Sequence, residues 1–186
     1  AKSKSLYLEA ITIRKKIWGV EDPIYAASLL NLAELYNREG NYAKAEPLYL
    51  EALTIQRKSL GKEHPDYAKS ANNLAIFYWN QGNYAKAEQL FLEALAINKK
   101  ITGTENPDFA TSLNNLAVFY GSQGKDSIAE PLYLEALAIR EKILGKEHPD
   151  YAASLNNLAD FYCRQSNYTK AEPLYLEALA IQKKSL

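Results

Sequence analysis

From Pro65 onward the apolar residues Ala68, Ala71, Leu74, Ala75 and Tyr78 return every three or four positions, until Gln81-Gly82-Asn83 interrupts the run. That spacing places them on one face of a helix. Beyond the interruption, Tyr84, Ala87, Leu90, Phe91, Ala94, Leu95 and Ile97 form a second stripe, which ends near Gly103. The pattern predicts a helix, a tight turn and a second helix. Pro65 suits a first helical position, and the residues before it and its counterparts are Asp22, His64, Asn106 and His148. Asp and Asn are good caps there, and the two histidines read as loop or cap residues.

The same pattern recurs along the chain. Pro23, Pro65, Pro107 and Pro149 are spaced by 42 residues, as are Gly19, Gly61, Gly103 and Gly145, and Tyr36, Tyr78, Tyr120 and Tyr162. The segment Leu48–Ala52 returns at Leu90, Leu132 and Leu174, and Leu6-Tyr7-Leu8-Glu9-Ala10 is one period earlier. This predicts a half repeat at 1–18, which supplies a second helix only, and complete repeats at 19–60, 61–102, 103–144 and 145–186. Nine helices follow, in an all-α array of stacked helix hairpins. Strands fail on both length and period. Pro47, Pro131 and Pro173 fall within the second stripes, where an interior proline costs roughly 3 kcal/mol, so those helices either start late or kink. Gln89 at the same place shows that proline is not required. The glycines read as helix stops.

HEAT and armadillo arrays have similar periods, but the internal pattern Leu74-Ala75-x-x-Tyr78-x-x-x-Gly82, then Ala87-x-x-x-Phe91-x-x-Ala94, resembles the tetratricopeptide consensus position by position. Ala71 stands where that consensus has Trp, and the period exceeds the usual one of about 34 residues. Ser112-Leu113-Asn114-Asn115-Leu116-Ala117, its copy from Ser154 to Ala159, and the Leu-Gly-Lys-Glu-His-Pro-Asp stretches at Leu60 and Leu144 resemble the kinesin-light-chain type of repeat. The resemblance covers nearly the whole chain. It implies an α-solenoid (TPR-type superhelical array) that binds proteins or peptides, is not an enzyme, and lines its groove with the first helix of each repeat. Bacterial proteins carry such arrays too, often beside nucleotide-binding or signalling domains, none of which is present in this chain.

If the resemblance sets the register, the groove takes Ala27, Leu30, Glu34, Asn37 and Arg38, then Lys69, Asn72, Ile76, Trp79 and Asn80. Later repeats add Thr111, Asn114, Val118, Gly121 and Ser122, then Ala153, Asn156, Asp160, Cys163 and Arg164. These positions vary while the framework stays fixed, as expected of a recognition surface or of a weakly constrained one. The pairs Asn72-Asn73, Asn114-Asn115 and Asn156-Asn157 offer amide donors and acceptors to the backbone of an extended peptide. Alternatively, the second Asn of each pair ties neighbouring helices together and the first is solvated. Trp79 is either an aromatic anchor or a packing residue between repeats. Arg38 and Arg164 either engage a partner's carboxylate or pair with Glu34 and Asp160 four residues earlier. At Lys125-Asp126-Ser127-Ile128 repeat 3 departs from its siblings, and loss of the usual Tyr predicts looser packing there.

Composition narrows the chemistry. The 22 Lys and Arg balance 22 Asp and Glu, so no charge excess draws the chain to nucleic acid or a membrane surface. A single thiol, Cys163, cannot form an internal disulfide, which fits a reduced cytoplasmic setting. The chain begins at Ala1 and reads as a processed or excised fragment. His64 and His148 are two repeats apart and cannot converge on a nucleophile. The clusters Glu63-His64-x-Asp66 and Glu147-His148-x-Asp150 are not maintained in the other repeats, so no metal site or cofactor is expected. With no polar capping helix, the faces at Tyr7/Leu8 and Leu176/Leu179 predict end-to-end self-association. A structural role or a sensor repeat of a larger signalling protein is the alternative function.

Overall fold

The computed structural model describes the backbone of residues 2–184 and the side chains of 6–184. Among the described residues there are nine helices and no strand. They are α1 (Lys2–Trp18), α2 (Pro23–Arg38), α3 (Tyr42–Ser59), α4 (Pro65–Asn80), α5 (Tyr84–Thr102), α6 (Pro107–Ser122), α7 (Asp126–Leu144), α8 (Pro149–Arg164) and α9 (Tyr168–Lys184). The even-numbered helices all begin at the repeated proline, and α3, α5, α7 and α9 also start 42 residues apart. This is an all-α fold of the tetratricopeptide solenoid type.

Each first helix is started by the side chain before its proline. Asp22 accepts from the Ile24 N–H at 2.7 Å, and Asn106 from Asp108 at 2.8 Å. His64 and His148 do the same through Nδ1, at 3.2 and 3.1 Å from the N–H groups of Asp66 and Asp150. A cap needs only an acceptor at this reach, which imidazole supplies. The histidines are therefore caps.

The second helices do not start late. α3, α7 and α9 each begin five residues before their proline and run through it. Pro47, Pro131 and Pro173 are exposed, and so are Ala43, Ser127 and Thr169, whose carbonyls lose their donors and face water. Not every glycine stops a helix. Gly121 lies inside α6, where a Cβ would come 3.2 Å from the Phe161 ring. In the hairpin turns Gly40, Gly82 and Gly124 take φ of 72°, 74° and 69°, and Ser166 holds that left-handed place at 58°.

The chain forms two compact units, Ala1–Ile97 and Asn98–Leu186. In the first, α2 packs on α1 and α3, and α3 on α4. Tyr25, Ala26 and Leu29 meet Ala52 and Ile55, and Tyr67 and Ala68 meet Ile97. In the second, α7 lies against α6 and α8, and α8 also contacts α6 and α9. Tyr151, Ala152 and Leu155 meet Ala178 and Ile181 there. Alanines of negligible exposure, such as Ala33, Ala75, Ala117 and Ala159, permit this close helix approach.

Tyrosine–carboxylate bonds hold neighbouring helices in register. The Tyr78 hydroxyl on α4 donates to Glu46 on α3 at 2.8 Å, and Tyr162 on α8 to Glu130 on α7 at 2.7 Å. Lys86 and Lys170 lie over the same two rings, 4.5 and 4.6 Å from their centroids. At the divergent third hairpin Ile128 cannot do this, and Lys125 sits 5.2 Å over Tyr120 instead. The packing lost there is a surface contact, because Tyr42, a counterpart of Asp126, is exposed but sets its ring edge against Phe77 at 6.2 Å.

Candidate functional site

The first unit places Lys69, Asn72, Asn73, Ile76, Trp79 and Asn80 along α4, and Arg38 at the end of α2. Asn72, Asn73, Ile76 and Trp79 are half-buried, whereas Lys69 and Asn80 are exposed. Between α2 and α4 lies a cavity of 220 Å³, bordered by Ala27, Leu30, Asn31, Lys69 and Asn73 and by Gln56 from α3. Arg38 Nε donates to Glu34 at 2.9 Å, so the helix-internal ion pair is the one formed. Glu34 also accepts from the Tyr49 hydroxyl at 2.8 Å. Burial alone raises the Glu34 pKa, but the hydrogen bonds from Arg38 and Tyr49 outweigh it and hold the carboxyl below its usual range.

In the second unit Asn114 is 6% exposed, and its Oδ1 accepts from Asn157 Nδ2 at 3.1 Å. The first asparagine of one pair is thus bonded to the second of the next. Asn115, Val118 and Asn156 are half-buried, and Asp160 and Arg164 are exposed. Asp160 does not pair with Arg164. Its carboxylate accepts a hydrogen bond from the Tyr175 hydroxyl, while the Arg164 guanidinium lies against Gly121, 3.0 Å from where a Cβ would stand.

The contrast with Arg38 has a local cause. Glu34 with Tyr49 and Asp160 with Tyr175 are equivalent pairs, but at the equivalent places of the middle repeats stand Ile76 with Phe91 and Val118 with Tyr133. Where the acid is lost, the hydroxyl is either absent or without that carboxylate partner. Arg164 takes the room that Gly121 leaves.

One set of polar residues was not singled out from the sequence. Arg14, Gln56, Asn98 and Arg140 recur every 42 residues on the inner edge of the second helices, and all but the first are buried. Arg14 donates to Ser28 at 2.6 Å, Asn98 to Ser112 at 2.8 Å and Arg140 to Ser154 at 2.6 Å. Arg140 also reaches the Asp150 carbonyl at 3.1 Å and Thr111 at 2.9 Å, so it spans from α7 to both α6 and α8. Burial lowers the pKa of its guanidinium, and the Asp150 charge opposes that shift. The available signal was a polar residue four positions after a buried alanine, at Ala52/Gln56, Ala94/Asn98 and Ala136/Arg140.

Among the described residues no three His, Cys, Asp or Glu side chains gather in a way that could hold a metal ion. No described helix is long and apolar enough to cross a membrane. Cys163 is a half-buried free thiol.

The Tetratricopeptide repeat family profile matches residues 1–54, 24–100 and 108–184. The chain belongs to the tetratricopeptide repeat family. Its structural neighbours among these repeat proteins are of the kinesin-light-chain kind. BtubC (BKLC) from P. vanneervenii is 30% identical, with a TM-score of 0.81 over 99% of this chain and 73% of that one. A putative kinesin light chain of P. anserina with nearly identical repeats is 31% identical, with a TM-score of 0.78 over 99% of this chain and 87% of that one. MamA, at 18% identity and a TM-score of 0.62, shares the fold. No curated protein sequence matches the chain significantly.

Tetratricopeptide repeats are protein–protein interaction modules, and this array keeps their constant framework. Tyr78/Glu46 and Tyr162/Glu130 repeat in the two units, whereas Lys69, Ile76 and Trp79 on α4 become Thr111, Val118 and Gly121 on α6.

Proposed function

We propose that the chain is a non-enzymatic interaction module that binds an extended peptide or partner segment along its first helices, in a cytoplasmic setting. The observation that supports this is variation at first-helix positions beside a repeated buried frame. Lys69, Ile76, Trp79 and Asn80 on α4 differ from Ala153, Asp160, Cys163 and Arg164 on α8, while Asn72/Asn156 and the buried Ala75/Ala159 and Tyr78/Tyr162 are the same. Half-buried amides and an aromatic ring suit backbone recognition with one anchoring contact. Asn156 carries more of this role than Asn114, which is buried against Asn157.

A second reading has its own observation. Leu8, Leu50 and Leu92 in one unit, and Leu134 and Leu176 in the other, are exposed leucines at one repeat position of the second helices. A repeated apolar row of this kind suits self-association or a folded partner. Selection of a random peptide display library on the chain, with counter-selection on Asn72→Ala/Trp79→Ala/Asn156→Ala, separates the two. Peptides that enrich on the wild type and vanish on the variant are expected. Identical enrichment on both proteins, or none on either, would sink the first-helix reading and favour the second.

A further inference from the structure

We propose that the cavity between α2 and α4 is a subsite for a carboxamide side chain, an asparagine or glutamine of the partner segment. This rests on the reading of the first helices as a partner-binding face. Gln56 borders the cavity at only 3% exposure, and its Oε1 has no hydrogen-bond partner. A buried acceptor left unmade is unfavourable, and such groups in native proteins are nearly always satisfied. Its counterparts Arg14, Asn98 and Arg140 each donate to a serine of the next first helix. Gln56 makes no such bond, and the serine at that place, Ser70, donates to the Asp66 carbonyl at 2.9 Å.

The gap between α6 and α8 shows how the cavity comes to be open. There Arg140 reaches Thr111 on one side and Ser154 and the Asp150 carbonyl on the other. Between α2 and α4 the same places hold Ala27, Ser70 and Asp66, and the shorter Gln56 replaces the arginine. Ala27 has no hydroxyl to receive a donor. The space that Arg140 occupies in one gap is left as 220 Å³ in the other.

The chemistry of the lining selects the ligand. The floor is a neutral amide, which complements a group offering both a donor and an acceptor. A cation is disfavoured because Lys69 stands at the rim and no carboxylate lies at the floor to repay its desolvation. Asp66 also borders the cavity, and its carboxylate disfavours an anion beside it. A carboxamide meets the unpartnered oxygen with its N–H and can accept from Asn31, Asn73 or Lys69 at the mouth.

The test is a titration of the isotope-labelled full chain, followed by amide shifts, with N-acetyl-glutamine N-methylamide and with its norleucine and lysine analogues. Saturable shifts around Ala27, Gln56 and Ser70 are expected for the glutamine probe, with binding of the norleucine probe about tenfold weaker, the worth of a buried hydrogen bond. Gln56→Arg should abolish binding by filling the cavity, as Arg140 does. Gln56→Leu should reverse the order of the glutamine and norleucine probes, an outcome that misfolding cannot imitate. No saturable shift, equal binding of all three probes, or an unchanged order in Gln56→Leu overturns the subsite. The peptide reading fails separately. Display peptides that ignore Gln56→Arg but need Asn72 and Asn156 keep the first-helix surface and discard the subsite. Glutamine-probe binding without any selected peptide does the reverse.

Discussion

Replacing Gln89 by proline tests how this fold carries proline inside its second helices. A proline well inside a helix costs roughly 3 kcal/mol or more, through one lost hydrogen bond and a clash between its ring and the carbonyl four residues back. At position 89 both terms shrink. It is the sixth residue of α5, so only the single turn from Tyr84 must adjust to relieve the clash. Gln89 and Ala85 are both exposed, so the freed carbonyl hydrates and the lost bond is worth at most about 1 kcal/mol. Loss of chain freedom in the unfolded state returns about 0.4–1 kcal/mol. The net cost of Gln89→Pro is therefore between zero and about 1 kcal/mol. Ala96→Pro supplies the control, because Ala96 and Leu92 are also exposed but lie beyond the second turn of the same helix. Its cost should be roughly 3 kcal/mol or more. Urea unfolding followed by circular dichroism measures both variants against the parent. Equal losses would refute the argument from helix position.

Other outcomes follow from the same structure. Ser166→Gly should stabilise the chain by about 1 kcal/mol, because Ser166 holds a left-handed φ of 58° where the other hairpins have glycine; a lower thermal midpoint would contradict this. His148→Ala should cost about 1 kcal/mol by removing a cap, and His148→Asn should not, since Asn106 makes the equivalent bond; equal losses in urea would remove the capping role. On the alkaline side, burial and Glu93 push Tyr67 up from 10.0 to about 12, and burial and Glu177 do the same for Tyr151. The unfolded chain then releases protons first, so this stability is complete below pH 10.0 and is lost as pH rises toward about 12. Urea midpoints should fall across that window, and less steeply in Tyr67→Phe/Tyr151→Phe; parallel slopes would reject the link. Glu130 acts oppositely, because hydrogen bonds from Tyr162 and Lys170 hold it below 4.5, so its contribution is present above that pH and is lost on acidification.

The helices were legible because the period and the three-and-four spacing are imposed by burial. Ala75, Tyr78, Ala87 and Phe91 are all within the buried set that produced the pattern. The caps were legible for the same local reason, since a cap acts over only a few residues. The start of α3 before Pro47 was not, because the decision turned on the exposure of Ala43, which composition does not reveal. Ion pairing divided in the same way. Spacing alone treats Arg38/Glu34 and Arg164/Asp160 alike, but Gly121 leaves room for Arg164 and Tyr175 claims Asp160. Gln56 and Arg140 were missed because polar residues beside an apolar stripe read as its solvated border. Their burial depends on how closely the neighbouring first helices approach, which is tertiary information.

The most direct measurement is an amide shift map of the isotope-labelled chain titrated with a peptide enriched by display. The account predicts perturbations along the even-numbered helices, centred on Lys69, Asn72, Ile76 and Trp79 in the first unit and on Asn156 and Asp160 in the second. Shifts that instead follow Leu50, Leu92, Leu134 and Leu176 on the second helices would contradict it.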